Sequence, residues 1–390
     1  MRAGILLPVL AAVSMLAFTA STAHAVTVEE FGEGGLVSPR HLDFASSGDL
    51  YVAEAGRGGD GPCFIGGEGP ACFGATGAVT RIDDDGEQSR IVDGLASYAN
   101  DVNENGTTDD DGDSGIGPHG IAVRGSNSIF LTSGGPTAPI DAEGNPITRD
   151  ALAAQDPAAD LFGRLLLVRR SGRFRSLADI YAFERDVNPD AQVGNPAIDT
   201  NATDVLVDRG RFVISDAGGN SVIVARGERL SALTVFANRV VANPFPPGPP
   251  EVAMQAVPTG IVEGPDGAYY MSQLTGFPFP IGGANVYRID PRTGDARVYA
   301  SGFTNIMDLA FDRKGTLYVL EIDSNGIILP PPFGAIHAIS RVGARSTIVP
   351  PDGTLTEPGG IAVGDHGDLF VTNRSRSPDD GQVLRIELDD

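Results

Sequence analysis

The stretch GIAVGDHGDLFVTN, residues 360–373, consists of an apolar run, a turn rich in glycine and aspartate, a second apolar run and a polar residue. Two apolar runs separated by such a turn predict a β-hairpin. The chain of 390 residues contains six stretches of this form, which begin at residues 41, 120, 204, 260, 308 and 360. An internal repeat of this kind predicts a fold built from copies of one small unit.

Each hairpin is followed by a third predicted strand, and five of the six copies also have a fourth. The third strands are predicted at 77–83, 163–170, 220–226, 284–290, 335–341 and 381–387, and the fourth at 89–95, 173–180, 233–237, 296–302 and 345–350. The sixth copy ends without a fourth strand, whereas VTVEEFGEG (26–34) has the same apolar alternation. We therefore predict an all-β, six-bladed β-propeller with four antiparallel strands per blade, in which the N-terminal strand completes the last blade. Two tandem β-sandwiches would not explain six similar units and a split one.

The first 25 residues have the features of a secretory signal peptide. Arg2 precedes an apolar run from Ile5 to Phe18, and Ala23-His24-Ala25 fits a signal peptidase site. We therefore expect a signal peptide at 1–25, a propeller at 26–390, and a secreted protein that is extracellular or periplasmic. No later segment is apolar enough to span a membrane.

Two cysteines, Cys63 and Cys72, lie in GPCFIGGEGPACFG. An oxidising compartment favours a disulfide between them. The formal net charge of −23 argues against nucleic acid and anionic lipid as partners, because phosphate binding needs cations.

The predicted turns on one face of the propeller are short, and the long insertions all fall on the other face. Binding residues are often found in loops held by a rigid scaffold, so the loop-rich face is the expected ligand or partner face. A polar residue ends the second strand of every repeat, and we expect it to bond the backbone of the turn that follows. These residues are Glu54, Ser133, Asp216, Gln273, Glu321 and Asn373.

The first strand of each repeat is expected to line the central channel, with its entrance on the loop-rich face. The candidate ligand-binding residues at this mouth are Arg40, His41, His119, Asp204 and Asp308. Histidines and aspartates close to one axis could bind a metal or carry out acid–base chemistry, or they could form a solvated wall with internal ion pairs.

The segment DVNENGTTDDDGD, residues 101–113, begins like a calcium-binding loop, with oxygen-bearing residues at alternate positions before a glycine. It lacks the final glutamate and the flanking helices of an EF-hand. We predict a structural Ca²⁺ site here; the alternative is a solvated acidic loop. The candidate ligands are Asp101, Asn103, Asn105, Thr107, Asp109 and Asp113.

The pattern P-x-G-I-A-V…G-x-L-Y/F-V, followed by V-x-R-I-D, resembles NHL-type propeller repeats. DAGGN (216–220) followed by VIVAR, together with the signal peptide, resembles the ScyD/ScyE family of exported proteins. The resemblance covers nearly all of 26–390 and implies a propeller, but it supplies no catalytic residues. The six-bladed gluconolactonase-like calcium enzymes are a second group of interest; they need a Glu, an Asn and an Asp in the channel, and Asp204 or Asp308 could supply the Asp.

These observations lead to two hypotheses of function. The first is a secreted, monomeric and non-enzymatic propeller that binds an unknown protein or small molecule on its loop-rich face. The alternative is a metal-dependent, lactonase-like hydrolase with its site at the mouth of the central channel.

Overall fold

The computed structural model describes residues 26–67, 69–108, 112–136 and 139–388. The proposed signal peptide and Asp109 therefore lie outside the described residues. The strands are, in chain order, β1 (Val26–Glu30), β2 (Pro39–Phe44), β3 (Leu50–Glu54), β4 (Cys63–Gly66), β5 (Gly69–Ile82), β6 (Gln88–Asn100), β7 (Asp113–Ile116), β8 (Pro118–Arg124), β9 (Ser128–Ser133), β10 (Arg164–Arg169), β11 (Phe174–Asp179), β12 (Ala202–Asp208), β13 (Arg211–Asp216), β14 (Ser221–Arg226), β15 (Arg229–Val235), β16 (Arg239–Ala242), β17 (Glu251–Met254), β18 (Pro258–Glu263), β19 (Tyr269–Gln273), β20 (Ala284–Ile289), β21 (Ala296–Phe303), β22 (Ile306–Phe311), β23 (Leu317–Glu321), β24 (Ala335–Ile339), β25 (Arg345–Val349), β26 (Gly360–Val363), β27 (Leu369–Asn373) and β28 (Gln382–Leu388).

These strands form an all-β architecture in which most of the sheets are antiparallel and have four strands. Five sheets have four strands: β8–β11, β12–β15, β18–β21, β22–β25, and β26–β28 joined by β1. A sixth sheet contains β2, β3, β5, β6 and β7, with β4 added beside β5. The seventh is a two-stranded hairpin, β16–β17, within a segment that we had expected to be a loop.

The first strands of the six larger sheets pack against one another in cyclic order. β2 contacts β8, β8 contacts β12, and the series continues through β18, β22 and β26, which contacts β2 again. Strands arranged in this way around an axis give a β-propeller. The axis is therefore lined by β2, β8, β12, β18, β22 and β26.

The N-terminal strand pairs with the C-terminal one. β1 is antiparallel to β28, with Val26 opposite Leu388 and Glu30 opposite Leu384. This pairing supplies the sheet of β26–β28 with the fourth strand that its own sequence copy lacks.

Apolar side chains fill the space between neighbouring sheets. One cluster contains Tyr51 and Val79 from the first sheet and Leu131 and Val168 from the second, all with no exposed surface. Burial of side chains of this size stabilises a fold by about 1.5–3 kcal/mol each, so these layers hold adjacent sheets together.

Polar residues at the end of the second strand hold the segment that leads into the first strand of the same sheet. In four sheets this side chain accepts a hydrogen bond of 2.7 or 2.8 Å from a backbone N–H at that position. The pairs are Glu54 with Val37, Asp216 with Asn201, Glu321 with Thr304, and Asn373 with Thr356. The preceding segment is thus the partner that these four side chains share, and Asp216 also accepts a hydrogen bond of 3.2 Å from the backbone N–H of Gly219 in the following turn, as expected from the sequence.

Helix is sparse. α1 (Arg149–Ala153) is followed by the 3₁₀ turn Pro157–Leu161, in which Pro157 is the first residue. α2 (Ile180–Val187) is followed by a second 3₁₀ turn, Pro189–Val193, and neither was predicted from the sequence. Within the described residues, no helix has the length and apolarity needed to cross a membrane.

Candidate active site in the central channel

One position of the repeat alternates between a functional side chain and glycine around the channel. In chain order it is occupied by His41, Gly120, Asp204, Gly260, Asp308 and Gly360. A Cβ on Gly120 would clash with the backbone of Asp204, and one on Gly260 would clash with Asp308. The ring formed by these six positions therefore has room for three side chains, and a glycine separates each from the next.

These three side chains converge. His41, Asp204 and Asp308 are buried, with 2%, 7% and 5% exposure. Nδ1 of His41 lies 3.1 Å from Oδ1 of Asp204, and the three residues each offer a ligand atom within 4.8 Å of the others. Among the described residues, Nε2 of His41 has no hydrogen-bond partner.

The two carboxylates also act as clamps, since each accepts a hydrogen bond from the backbone of a neighbouring inner strand. Oδ2 of Asp204 accepts a hydrogen bond of 2.7 Å from the backbone N–H of Ile261, in the next sheet. Oδ2 of Asp308 does the same with Ile361 at 2.8 Å. A third aspartate, Asp43, forms such a clamp two positions further along its strand, to Val123 at 2.7 Å, although it lies outside the cluster.

The cluster carries mixed charge. Burial would lower the pKa of His41, but the charges of Asp308 and Asp204 outweigh this effect and raise it to about 9. Burial raises the pKa of Asp308 to about 7 despite the opposing charge of His41. Burial also raises the pKa of Asp43 to about 6.

The cluster lines a channel cavity of about 290 Å³ that reaches the face with the tight turns. Its walls are formed by the inner strands, from the position of His41 and its equivalents to the C-terminal ends of these strands, and include Phe44, Ile121 and Phe311. Arg124 also lines it, and its guanidinium donates to the carbonyl oxygens of Val123 and Val207. The sequence analysis did not single out Arg124.

Arg40 and His119 lie in a different cavity, of about 140 Å³, on the loop-rich side. Our expectation that all five candidate residues share one mouth on that face is therefore wrong. The physical reason is a β-bulge at the start of five of the inner strands, for example between Pro39 and Leu42 and between Pro118 and Ile121. A bulge interrupts the alternation of side chains and redirects the residues beside it.

His119 differs strongly from its neighbour His41. The two rings contact edge to face with their centroids 5.5 Å apart. Neither ring nitrogen of His119 has a hydrogen-bond partner among the described residues. Burial, with the charges of Arg40 and His41, holds the pKa of His119 well below its usual value, so its ring is neutral.

The proposed calcium-loop residues have varied partners. Asp101 accepts backbone hydrogen bonds from Asn105 (3.0 Å) and Gly106 (2.7 Å), and Asn105 accepts one from Thr107 at 3.0 Å. Asp113 lies 3.7 Å from the guanidinium of Arg376. These contacts place Asp101 in its own turn and Asp113 at a distant arginine, and calcium binding by Asp101, Asn103, Asn105, Thr107, Asp109 and Asp113 stays a prediction.

The predicted disulfide is present. Cys63 and Cys72 are opposite each other in the pairing of β4 with β5, with Cα atoms 4.0 Å apart, and are joined by an S–S bond. It lies at the loop-rich end of the first sheet, away from the ring that contains His41.

No protein-family model matches the sequence, and no curated protein sequence matches it. Solved structures do match. A gluconolactonase from Xanthomonas campestris aligns with a TM-score of 0.50 and 12% identity, over 96% of this chain and 94% of that one. A protein of unknown function from Bacteroides thetaiotaomicron aligns with a TM-score of 0.53 and 10% identity, over 93% of this chain and 76% of that one. A Thermus oxidoreductase named as a glucose dehydrogenase has a TM-score of 0.49 and 18% identity, over 93% of this chain and all of that one.

These likenesses support a β-propeller fold. They do not bear out membership of the ScyD/ScyE family. The Xanthomonas structure is named as a gluconolactonase, which is an enzyme, and this contradicts our interpretation of the chain as a non-enzymatic scaffold.

Proposed function

We propose that this protein is a metal-dependent, lactonase-like hydrolase whose site is the cavity lined by His41, Asp204 and Asp308. The observation that carries the proposal is the convergence of these three buried side chains, with Nε2 of His41 left without a partner among the described residues. Channel-wall structure accounts for the two aspartates and for the ion pair through Nδ1 of His41, but it gives no role to the buried Nε2 of the same ring.

The donor set fits a metal ion. It comprises one imidazole nitrogen and two carboxylates, which suits Zn²⁺ or Mn²⁺ better than the all-oxygen preference of Ca²⁺. Each clamped carboxylate oxygen keeps a second lone pair. When bound, such a metal supplies Lewis acidity toward a carbonyl and a nucleophilic water at neutral pH.

The chain's own residues would position the reactants. Asp204 lies 3.1 Å from Nδ1 of His41 and would hold the ring in place, in addition to offering a carboxylate oxygen to the metal. Arg124 places a positive charge at the wall, which would attract a developing or product carboxylate. A cavity of about 290 Å³ suits a small lactone or ester rather than a polymer.

The test is a screen of small lactones and p-nitrophenyl esters with protein stripped by a chelator and then reloaded with Zn²⁺, Mn²⁺ or Ca²⁺. We expect turnover that requires a metal, and loss of both turnover and bound metal in His41→Ala and Asp308→Asn. Asp43→Asn is the matched control, because Asp43 makes the same backbone clamp outside the cluster. Stoichiometric metal in Asp43→Asn but none in Asp308→Asn supports the proposal. Equal metal content in wild type and His41→Ala, or no turnover under any condition, would overturn it.

We also infer that the propeller has six blades closed by β1. The pairing of β1 with β28 and the cyclic packing of six inner strands support this count. The β16–β17 hairpin is then an insertion in the connection between β15 and β18. Export through a signal peptide at 1–25, a monomeric state and a ScyD/ScyE relationship remain proposals from the sequence, and the Cys63–Cys72 disulfide agrees with an oxidising compartment.

A further inference from the structure

A larger cavity lies beside the channel, between the first and last of the six larger sheets. It has a volume of about 680 Å³, and its wall includes two tight turns, in which Ser46 and His366 lie. This volume is within the range of small-molecule binding sites. We call it the side cavity, to distinguish it from the channel cavity of about 290 Å³ that contains His41.

The side cavity and the channel cavity share wall residues. Phe44 and Val363 line both of them. Phe44 is the last residue of β2, three residues after His41, and Val363 is the last residue of β26, three residues after Gly360 of the ring. Three residues of β-strand span about 10 Å. A ligand whose reacting bond lies at His41 therefore needs a chain of about this length to reach the side cavity.

The wall of the side cavity is aromatic. Phe370 lies between Phe31 and Phe44, and both contact it edge to face with ring centroids 5.0 Å apart. Phe370 is buried, whereas Phe31 and Phe44 are only partly buried and keep exposed apolar surface. Removal of apolar surface from water favours binding, by about fourfold in affinity for each buried CH₂ group. An apolar chain is therefore the ligand that this wall suits.

The charges around the side cavity are mostly negative. Asp84, Asp365 and Asp368 line it together with Arg385. The guanidinium of Arg385 lies 2.6 Å from Asp368 and 3.2 Å from Glu387, so its charge is already balanced. A chain that ends in a carboxylate would be repelled here, and an uncharged one would not.

We propose that the side cavity receives an uncharged alkyl or aryl chain of the substrate, while the lactone or ester group lies at His41, Asp204 and Asp308. This inference rests on the proposed hydrolase function, and it narrows the substrates to lactones and esters with an apolar chain. Hydrolysis adds water across the acyl C–O bond and yields a carboxylate, a hydroxyl group and a proton. The carboxylate then forms in the cavity that contains Arg124, and the apolar chain lies in the side cavity.

The first measurement is of binding, and it needs neither a metal nor turnover. N-phenylnaphthylamine, an uncharged apolar fluorophore, is titrated into chelator-treated protein and then displaced with γ-decalactone, or with γ-butyrolactone, which has no chain. Wild type is compared with Phe31→Ala and Phe44→Ala. Ser46→Trp is a third variant, which adds bulk at an exposed position of the wall and removes no packing, and circular dichroism checks that each variant is folded.

Phe311→Ala is the matched control. Phe311 has the same position in its repeat as Phe44, three residues after Asp308, and of the two cavities only the channel cavity includes it in its described wall. We expect the three variants of the side cavity to weaken probe binding by about fivefold or more, and Phe311→Ala to retain it. In wild type, γ-decalactone should displace the probe at concentrations at least about tenfold below those needed with γ-butyrolactone. Equal binding by wild type and all the variants, or equal displacement by the two lactones, would overturn the inference.

The second measurement is the ratio of kcat/KM for γ-decalactone to kcat/KM for γ-butyrolactone in metal-loaded protein. We expect a ratio above about ten in wild type and in Phe311→Ala, and a ratio near one in Phe44→Ala. Turnover with a ratio near one in wild type would overturn this inference and leave the hydrolase proposal intact. Probe binding at the aromatic wall without turnover of either lactone would overturn the hydrolase proposal alone, because the side cavity would still be shown to hold an apolar chain.

Discussion

The two cavities of the channel each contain a histidine, and these two histidines differ in their protonation state. His41 lies between two aspartates and its pKa is raised to about 9, whereas His119, in ring contact with it, has a pKa held well below the usual value. Burial lowers the pKa of both histidines, and only at His41 do nearby carboxylates, Asp308 and Asp204, outweigh this effect. A histidine in a channel is thus informative about chemistry only when its charged neighbours are known.

The same comparison shows that the end of the channel with the longer loops is not the end with the larger cavity. The loop-rich end has the smaller cavity, of about 140 Å³. The tight-turn end, where the sequence shows no elaboration, has the larger cavity and the converging carboxylates. The proposed hydrolase site therefore lies on the strands of the scaffold, and the long loops build other features such as the disulfide.

The largest expected difference between the two ends is in catalysis. For the substrate found in the screen, His41→Ala should lower kcat/KM by about 10²-fold or more, the size of effect expected when a reacting group's partner is lost. His119→Ala, at the other end, should leave kcat/KM within a few-fold of wild type. Steady-state kinetics on both purified variants provide the measurement, and equal losses would mean that the channel works as one site.

The second prediction concerns the alternation of side chain and glycine in the ring. Gly260→Ala should destabilise the fold by about 1–3 kcal/mol, because the added methyl group meets Oδ1 and the backbone of Asp308. Gly66→Ala is the control, since the nearest atoms to its new Cβ are at 3.7 Å. Denaturant unfolding of both variants measures the difference. A Gly260→Ala protein as stable as Gly66→Ala would show that the ring can widen.

The third prediction uses the neutral state of His119. An unfolded histidine takes up a proton near pH 6.5, but the folded His119 does not, so the unfolded state binds more protons below that pH. Its contribution to stability is present above pH 6.5 and is lost as the pH falls, by up to about 1.4 kcal/mol per pH unit. Urea unfolding in chelator at about pH 7.5 and about pH 5.5 should show a smaller loss for His119→Asn than for wild type.

His366→Asn is the control for this measurement, because it removes an exposed histidine from a tight turn. It should retain the wild-type pH dependence. If His119→Asn and His366→Asn behave alike, His119 takes up a proton in the folded state and the contrast with His41 is lost.

The smallest expected effect is at the acidic loop. If residues 101–113 bind Ca²⁺, Asp101→Ala should reduce the rise in melting temperature that Ca²⁺ produces in the wild-type protein. Asp101 already accepts two backbone hydrogen bonds, so the gain from Ca²⁺ should be modest. Differential scanning calorimetry measures the shift. An unchanged response to Ca²⁺ would leave the segment as a solvated loop.

Much of the fold could be predicted because the same pattern of strands and turns repeats along the sequence. Each hairpin has a local turn and two alternating strands, and the split between 26–34 and 381–387 follows from a missing strand in the last copy. Contact between β1 and β28 agrees with this. α2 could not be predicted in the same way, because the segment 173–180 looks like a continuous strand until Asp179 caps the helix by accepting from the N–H of Ala182.

The candidate site was predicted in composition but not in placement. His41, Asp204 and Asp308 fall at one position of the repeat, which the alignment of copies reveals. The bulges beside that position decide which end of the channel each side chain faces. A proline begins three of them, at Pro39, Pro118 and Pro258, but those of β12 and β22 begin at Ala202 and Ile306 and have no such mark.

The pairing of β1 with β28 has a consequence for how the chain can be rearranged. Val26 and Leu388 are direct partners in an antiparallel pair, so a short turn could join them as in any hairpin. New ends could then be cut in an exposed tight turn such as residues 341–344, between β24 and β25. A circular permutant of this kind should retain the fold, and moving the cut from blade to blade would show which part of the ring must be continuous for the chain to fold.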